Sequence, residues 1–396
     1  MTASTKKYRQ LRTDVIKHLY YGKMLTLAEL SHLTHKSLPL ITTMVNNLMA
    51  DGYVLEYGLA PSTGGRRALT FLLNKEKQSY IIAVAMDQLV TQVVIYDLLN
   101  EVRIAAELFP FALNGDPANT ETLIEFLKNY IIRSGIPLEQ ILGLGIGMPG
   151  FVNAAEGVNH TFFKIEGQGN LKEHLTKELG LPVFIDNDSS LIALAELKFG
   201  VAKERKDVMV VNVGWGIGLG MIINGSLFRG HSGYAGEFSH IPLSQSNKLC
   251  ACGKQGCLEV DTSLLVLVER AKSQIENGMK SSLELSFLDE SKLAGDHFLE
   301  AAKAGDPLAV SIMADAAFLI GKGLATLIHI INPELIVLGG RGAIAGKMMM
   351  APIEQAIHEF CIPRLAEHTE IKVSALNTES ALLGAATLVI ENCNFN

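Results

Sequence analysis

The chain has 396 residues, enough for two or three domains with substantial cores. No stretch approaches the roughly 18 uninterrupted apolar residues of a spanning helix, and MTASTKKYRQLRTDV has no apolar run behind its lysines, so neither a membrane partner nor a signal peptide is expected. Five cysteines, three of them clustered, suit a reducing cytoplasm better than a disulfide framework.

Charge is divided unevenly along the chain. Residues 1–77 hold 11 Lys/Arg against 5 Asp/Glu, a net +6, which leaves −13 for the rest of a chain whose total is −7. A basic head on an acidic body suits contact with a polyanion, although charge alone equally describes an ordinary solvated face. The pattern of elements in the head supplies the missing argument. Leu11, Val15, Ile16 and Leu19 make a helical stripe over Leu11–Tyr20, and Leu25–Leu33 carries a second. A turn at Thr34–Ser37 leads into a third helix with Ser37 as N-cap, Pro39 in its first turn, Ile41, Val45 and Leu48 inward, and Gly52 at its end. Tyr53–Tyr57 and Ala68–Leu73 read as strands around a loop with Gly64, Gly65, Arg66 and Arg67.

Three helices and a glycine-arginine hairpin make a winged helix-turn-helix over residues 1–78, with a double-stranded DNA operator as its partner. The third helix would enter the major groove. Ser37, Thr42, Thr43, Asn46 and Asn47 lie on its outer side, and the hydroxyl and amide of Thr43 and Asn46 suit base edges. Arg66 and Arg67 suit phosphate or a narrow minor groove. Protein docking by a three-helix module, with the two arginines as solvated decoration, is the plainer reading.

From Ser79 the pattern turns to strands: Tyr80–Ala85, Gln92–Tyr96 and Arg103–Phe109, a helix at Glu121–Ile132 capped by Thr120, then the strand Ile141–Gly147. A helix near Leu171–Leu179, the strand Val183–Ile185 and a helix from Ser190 to Lys198 follow. The second half repeats the scheme with Val208–Val213, a hairpin of Gly218–Ile223 and Ser226–Arg229 around Asn224-Gly225, the helices Leu264–Ser273 and Asp306–Ile331, the strand Glu334–Leu338, helix Pro352–Phe360, strand Ile371–Val373 and helix Ser380–Ile390. Such an internal duplication means an α/β fold of two lobes with a cleft between them, in the order of sugar kinases, actin and the heat-shock ATPase chaperones, the ribonuclease H-like class. The expected division is 79–187 plus the C-terminal 376–396 for the first lobe and 188–375 for the second.

One stretch carries its own chemistry. His240, Cys250, Cys252 and Cys257 supply one imidazole and three thiolates within 18 residues, a complete tetrahedral zinc shell with no open position, hence a structural metal. Gly253 and Gly256 let the chain fold back so that Cys252 and Cys257 converge. A chance cluster of buried thiols, or a disulfide between two of them, is the alternative. Cys361 and Cys393 have no partner pattern and read as ordinary thiols.

GIGMPG (145–150), DNDSSLIALAELKFG (186–200), VGWGIGLGMIINGSLFRG (213–230), GYAGEFSH (233–240), CACGKQGCLE (250–259) and NPELIVLGG (332–340) occur in the order of the ROK family of repressors, open reading frames and kinases. The cysteine-histidine spacing matches that family's zinc motif. With its N-terminal winged helix the chain resembles the family's NagC, Mlc and XylR type of transcriptional repressor over about residues 8 to 390.

The resemblance implies a sugar or sugar-phosphate effector at Gly150, Asn187, Asp188, Glu237, His240 and Glu259. In the family's kinases the aspartate matching Asp188 is the base on the attacking hydroxyl. The plainer readings are an N-cap for Asn187-Asp188 and surface charge for Glu237 and Glu259. His240 can serve twice, since a metal-bound imidazole keeps its second nitrogen for a ligand. Both phosphate loops depart from the kinase pattern. The first falls on Ala85-Met86-Asp87-Gln88-Leu89 with its glycines gone, and the second reads Gly214-Trp215-Gly216, with the chain's only tryptophan where a hydroxyl should meet phosphate. The resemblance therefore implies a cytoplasmic, homodimeric or homotetrameric, sugar-responsive repressor that is not an enzyme. A sugar kinase with a DNA-binding head is the runner-up, and a regulator with a vestigial cleft and a protein partner the third reading.

Overall fold

The computed structural model describes residues 3–59, 67–163, 165, 169–393 and 395, the first two by backbone alone. The chain forms two compact units: Met1–Ile146, Glu156–Ile185 and Ala385–Asn396 in the first, Gly147–Ala155 and Asp186–Gly384 in the second.

The first unit opens with helix Ala3–Gly22, which buries Leu11, Val15, Ile16 and Leu19 along the expected stripe. The second segment divides where one helix was expected. Met24–Thr26 is a strand, and the helix begins at Leu27 because Thr26 and Glu29 form a capping box, each side chain accepting from the other's backbone N–H. Helix Leu38–Ala50 follows, with Ile41, Met44, Val45 and Leu48 buried. Ser37 holds the N-cap position, but its side chain makes no capping hydrogen bond. Strands Val54–Leu59 and Leu69–Leu73 pair antiparallel, and Met24–Thr26 adds to Leu69–Leu73, closing a three-stranded sheet. Gly64, Gly65 and Arg66 of the expected wing loop lie outside the described residues.

The same unit contains a five-stranded sheet in the order Val183–Asn187, Ile141–Met148, Tyr80–Met86, Val90–Asp97, Val102–Pro110. Helices Asn119–Ser134 and Leu171–Leu179 accompany it. Thr120 is not the N-cap expected of it: the helix starts two residues earlier, at Asn119 with Ala118 in the N-cap position, and Thr120 is buried inside the first turn. The last helix, Glu379–Asn392, belongs to this unit from Ala385 onward, where the absence of a Cβ at Gly145 admits the carbonyl of Ala385. Its C-terminal end joins the head. Arg12, buried, donates from Nε to the carbonyl of Phe395 at 3.0 Å and pairs with Asp51 at 2.5 Å, while Lys17 and Tyr21 both reach the Glu391 carboxylate.

The second unit has a sheet in the order Ser226–Leu227, Ile217–Ile223, Val208–Val213, Leu335–Gly339, Glu370–Val373. Val208–Val213 pairs antiparallel with Ile217–Ile223 and parallel with Leu335–Gly339, and every residue of both Val208–Val213 and Leu335–Gly339 is buried. Their continuous apolar runs are those of central strands. Helix Asp188–Phe199 packs Ile192 and Ala193 against Val208, Val210, Ile222 and Val337. Asn224 and Gly225 turn the hairpin with φ of 53° and 71°, the left-handed pair of a type I′ turn. Helix Pro307–Ile331 has the length and hydropathy of a membrane span but buries 61% of its most apolar window inside the unit, as a core helix does.

Candidate functional site

The side chains of His240, Cys250, Cys252 and Cys257 converge so that their ligand atoms all lie within 4.8 Å of one another. Local backbone geometry accounts for this. Cys250 N–H donates to the carbonyl of Lys254, Gly253 N–H to that of Cys250, and Leu249 bridges to Gln255, folding the cysteine segment into a tight hairpin. Gly253 and Gly256 take φ of 83° and 78°, which a side chain would strain. Cys252 Sγ and Cys257 Sγ are 3.6 Å apart, as are His240 Nδ1 and Cys250 Sγ. These separations match the edge of roughly 3.7 Å that ligands at about 2.3 Å from a tetrahedral ion define. All five cysteines are free thiols, so the set is not a disulfide. Without an ion, burial pushes the Cys257 thiol up to about 12 and raises that of Cys250, so metal loading must release protons.

His240 faces two ways. Its Nδ1 meets Cys250, and its Nε2 lies 3.6 Å from the Glu237 carboxylate, within ion-pair range but longer than a hydrogen bond. The loop bearing both residues is fixed from beneath. Phe238 is 2% exposed and lies where a Cβ on Gly323 would stand only 2.6 Å away, and a side chain on Gly236 would strike the carbonyl of Leu219.

The second unit holds all six residues expected at the effector site. Asn187 caps helix Asp188–Phe199, its Oδ1 accepting from Ser189 and Ser190 N–H, while its Nδ2 donates to the Gly150 carbonyl at 3.3 Å. The N-cap reading and a place beside Gly150 hold together. Asp188 accepts from Ser189 and, at 3.3 Å, from Asn212 Nδ2. Desolvation, reinforced by Asp188 and then Glu259, pushes the Glu237 carboxyl up to about 7. Desolvation likewise raises Glu259, against which His240 and a hydrogen bond from Ser239 act. Three carboxylates therefore share one field. Sequence reasoning passed over Asn212, Phe151 and Tyr234. Phe151 stacks on His240 with centroids 6.1 Å apart and meets Tyr234 edge-on at 6.2 Å. An aromatic directly after the GMPG turn was the available signal for Phe151; Asn212, inside an apolar strand, offered none.

Both altered phosphate loops are closed by the chain's own groups. Asp87 Oδ1 accepts from Leu89 and Val90 N–H, spending those donors on a hairpin turn. Gly214 N–H donates to the Gly216 carbonyl, and Trp215 is 4% exposed. A Cβ on Gly295 would lie 2.5 Å from its ring, and the Arg341 guanidinium stands 5.2 Å over it while pairing with Asp296 at 2.6 Å. The tryptophan fills core.

On helix Leu38–Ala50, Thr43 and Asn46 are exposed, and Thr42 and Asn47 are half-buried. Thr42 and Thr43 donate their hydroxyls back to the carbonyls of Leu38 and Pro39, leaving methyl groups and acceptor lone pairs outward, and Asn47 donates to Tyr8. Arg67 is exposed.

The ROK family model matches residues 113–392. The chain is 28% identical over 384 residues to a xylose repressor of Caldicellulosiruptor bescii, covering 96% of this chain and 94% of the relative. It is 32% identical over 256 residues to a glucokinase of Halalkalibacterium halodurans, covering 64% of this chain and 78% of the relative. A solved ROK family transcriptional regulator, homologous to the Escherichia coli Mlc protein, superposes with a TM-score of 0.77 at 23% identity over 97% of this chain and 96% of its own.

Proposed function

Because the chain belongs to the ROK family, we propose that it is a sugar-responsive transcriptional repressor of carbohydrate genes, a DNA-binding sensor in which a kinase-derived fold binds an effector without phosphorylating it. One observation carries this reading: the repressor relative matches 96% of the chain, whereas the glucokinase matches only 64%. A match over 96% of the chain leaves too few residues outside it to omit the basic three-helix head. In this reading residues 1–78 bind the operator, 79–187 with 376–396 form the first lobe, and 188–375 hold the metal and the effector.

Ser37, Thr42, Thr43, Asn46 and Asn47 face DNA, with Arg66 and Arg67 on phosphate. Two heads in a homodimer, or in a homotetramer built from dimers, would read a pseudo-palindromic operator in the cytoplasm. His240, Cys250, Cys252 and Cys257 would hold zinc, a borderline-soft ion suited to thiolate and imidazole, and its role would be to fix the loop that carries Glu237, His240 and Glu259. Gly150, Asn187, Asp188, Glu237, His240 and Glu259 would bind the hydroxyls, Asp188 as an acceptor and not as a base.

Nucleotide phosphates need free backbone donors and close approach. The self-bonded Asp87 turn and the buried Trp215 support a protein that is not a kinase. The test measures operator binding by fluorescence anisotropy with and without each of a panel of sugars, alongside ATP turnover with the same sugars. An effector that shifts operator affinity without ATP consumption is the expected result. Sugar-dependent ATP hydrolysis above background would return the chain to the kinases.

A further inference from the structure

We propose that Leu38 and Leu40, in the first turn of the third helix, are specificity-determining residues that read the C5-methyl groups of thymine in the major groove of the operator. This inference rests on the DNA-binding reading above and deepens it.

An amphipathic helix needs one apolar stripe to pack. On helix Leu38–Ala50 that stripe is Ile41, Met44, Val45 and Leu48, all buried. Leu38 and Leu40 lie outside it and remain 49% and 43% exposed, and Pro39 between them is exposed as well. Two leucines and a proline in one turn make a patch, which a scattered surface leucine does not.

The polar neighbours do not cover it. Thr42 and Thr43 donate their hydroxyls to the carbonyls of Leu38 and Pro39, so both donors point into the helix backbone. Asn47 donates its amide to Tyr8. The beginning of the helix therefore offers C–H surface, and its first exposed amide is that of Asn46.

Two observations fix the occupant. The head carries a net +6 over residues 1–77, complementary to a polyanion. In a helix-turn-helix, the N-terminal residues of the recognition helix are the ones that reach base edges. Thymine's methyl is the one apolar group that base pairs present in the major groove; the rest are hydrogen-bond donors and acceptors. An apolar tip gains by covering that methyl and loses by stripping water from any other base edge.

Selection by the full-length protein from a duplex library with a randomised core supplies the probe. In the selected duplex each thymine is replaced in turn by deoxyuridine, which pairs identically and lacks only the methyl group. Fluorescence anisotropy should find thymines in each half-site at which replacement weakens binding about fourfold, the cost of uncovering one methyl-sized group. Leu38→Ala and Leu40→Ala should each abolish the penalty at one such thymine, and Leu40→Met should keep it. The slope of log K against log salt should stay the same in all three variants, because phosphate contacts are untouched. Penalties that persist in both alanine variants, or no thymine whose methyl matters, overturn the inference and leave the DNA-binding reading standing, since the selected duplex still binds. A reduced salt slope in the alanine variants also overturns it, because the leucines would then be holding the head against the phosphates. A library from which no duplex is enriched overturns DNA binding itself, and the inference with it.

Discussion

Glu196 shows how much a single buried group can reveal at the residue scale. It is fully buried on helix Asp188–Phe199, accepting from Val201 N–H at 3.0 Å and from the Ser374 hydroxyl, and Gly200 stands aside because a Cβ there would collide with the carboxylate. Desolvation raises its pKa, more than its two hydrogen bonds lower it. A carboxyl whose folded value exceeds its unfolded value binds more protons in the native state, so stability is fullest below the usual carboxylate range and falls as pH rises through the folded value. The melting temperature should therefore be higher at a pH within the usual carboxylate range than at one well above it, and Glu196→Gln, whose amide can keep both hydrogen bonds, should shrink that difference. Equal differences for the two proteins would show that the carboxyl does not titrate between those two pH values. Glu196→Ala should cost roughly 2–4 kcal/mol at either pH, through two orphaned partners and a cavity, as read by urea unfolding. None of this was legible beforehand. In the sequence, Glu196 is one acid in SSLIALAELKFG, and only the packing of Ser374, 178 residues away, marks it out. Asn187 is the opposite case, since its capping role follows from its place before a helical run.

Elements divide along the same line between local and distant causes. The metal-ligand loop was legible because its four ligands and two turn glycines lie within 18 residues, and convergence there needs only local geometry. Strand Met24–Thr26 was missed because it exists only through pairing with Leu69–Leu73, more than 40 residues on. The Thr26–Glu29 capping box that divides it from the following helix was in the sequence and outweighs the apolar continuity from Leu25. The zinc proposed for this loop gives a testable result. Cys257→Ser should lower bound zinc from one ion per chain to near zero by elemental analysis, because Cys257 is an interior ligand at 1% exposure. Hydrogen-exchange protection of residues 237–259 should be lost in the same variant, while that of helices Ala3–Gly22, Leu27–Thr34 and Leu38–Ala50, which supply none of the four ligands, should persist. A second element, the C-terminal end of helix Glu379–Asn392, should act on the head. Truncation after Asn392 removes Phe395, whose carbonyl holds Arg12 and whose ring meets Tyr53 edge-on at 6.2 Å. Exchange should then rise along helix Ala3–Gly22, and operator affinity should fall by about tenfold, roughly 1.4 kcal/mol, if one buried charge-assisted bond is the main loss.

For the whole molecule, the governing quantities are the charge division and the coupling of two ligands. A head of +6 on a body of −13 should bind DNA with a steep salt dependence, and Arg67→Ala should weaken all sequences alike and reduce the slope of log K against log salt by about 1. Asn46→Ala should instead reduce discrimination between operator and scrambled DNA, by roughly 1–3 kcal/mol, with little change of slope. Effector response adds a stricter condition. A sugar changes operator occupancy only if it binds the DNA-competent and DNA-incompetent states unequally, and a near-complete switch needs about 100- to 10,000-fold inequality. Thermodynamic linkage then makes the effect reciprocal: whatever factor the sugar imposes on DNA affinity, operator DNA must impose on sugar affinity. Anisotropy with saturating sugar and calorimetry with saturating operator, in one buffer at one protein concentration, should return the same factor. A mismatch beyond experimental error would mean that a third equilibrium intervenes, and self-association of the chain is the one that linkage would then require to be measured, by sedimentation with and without each ligand.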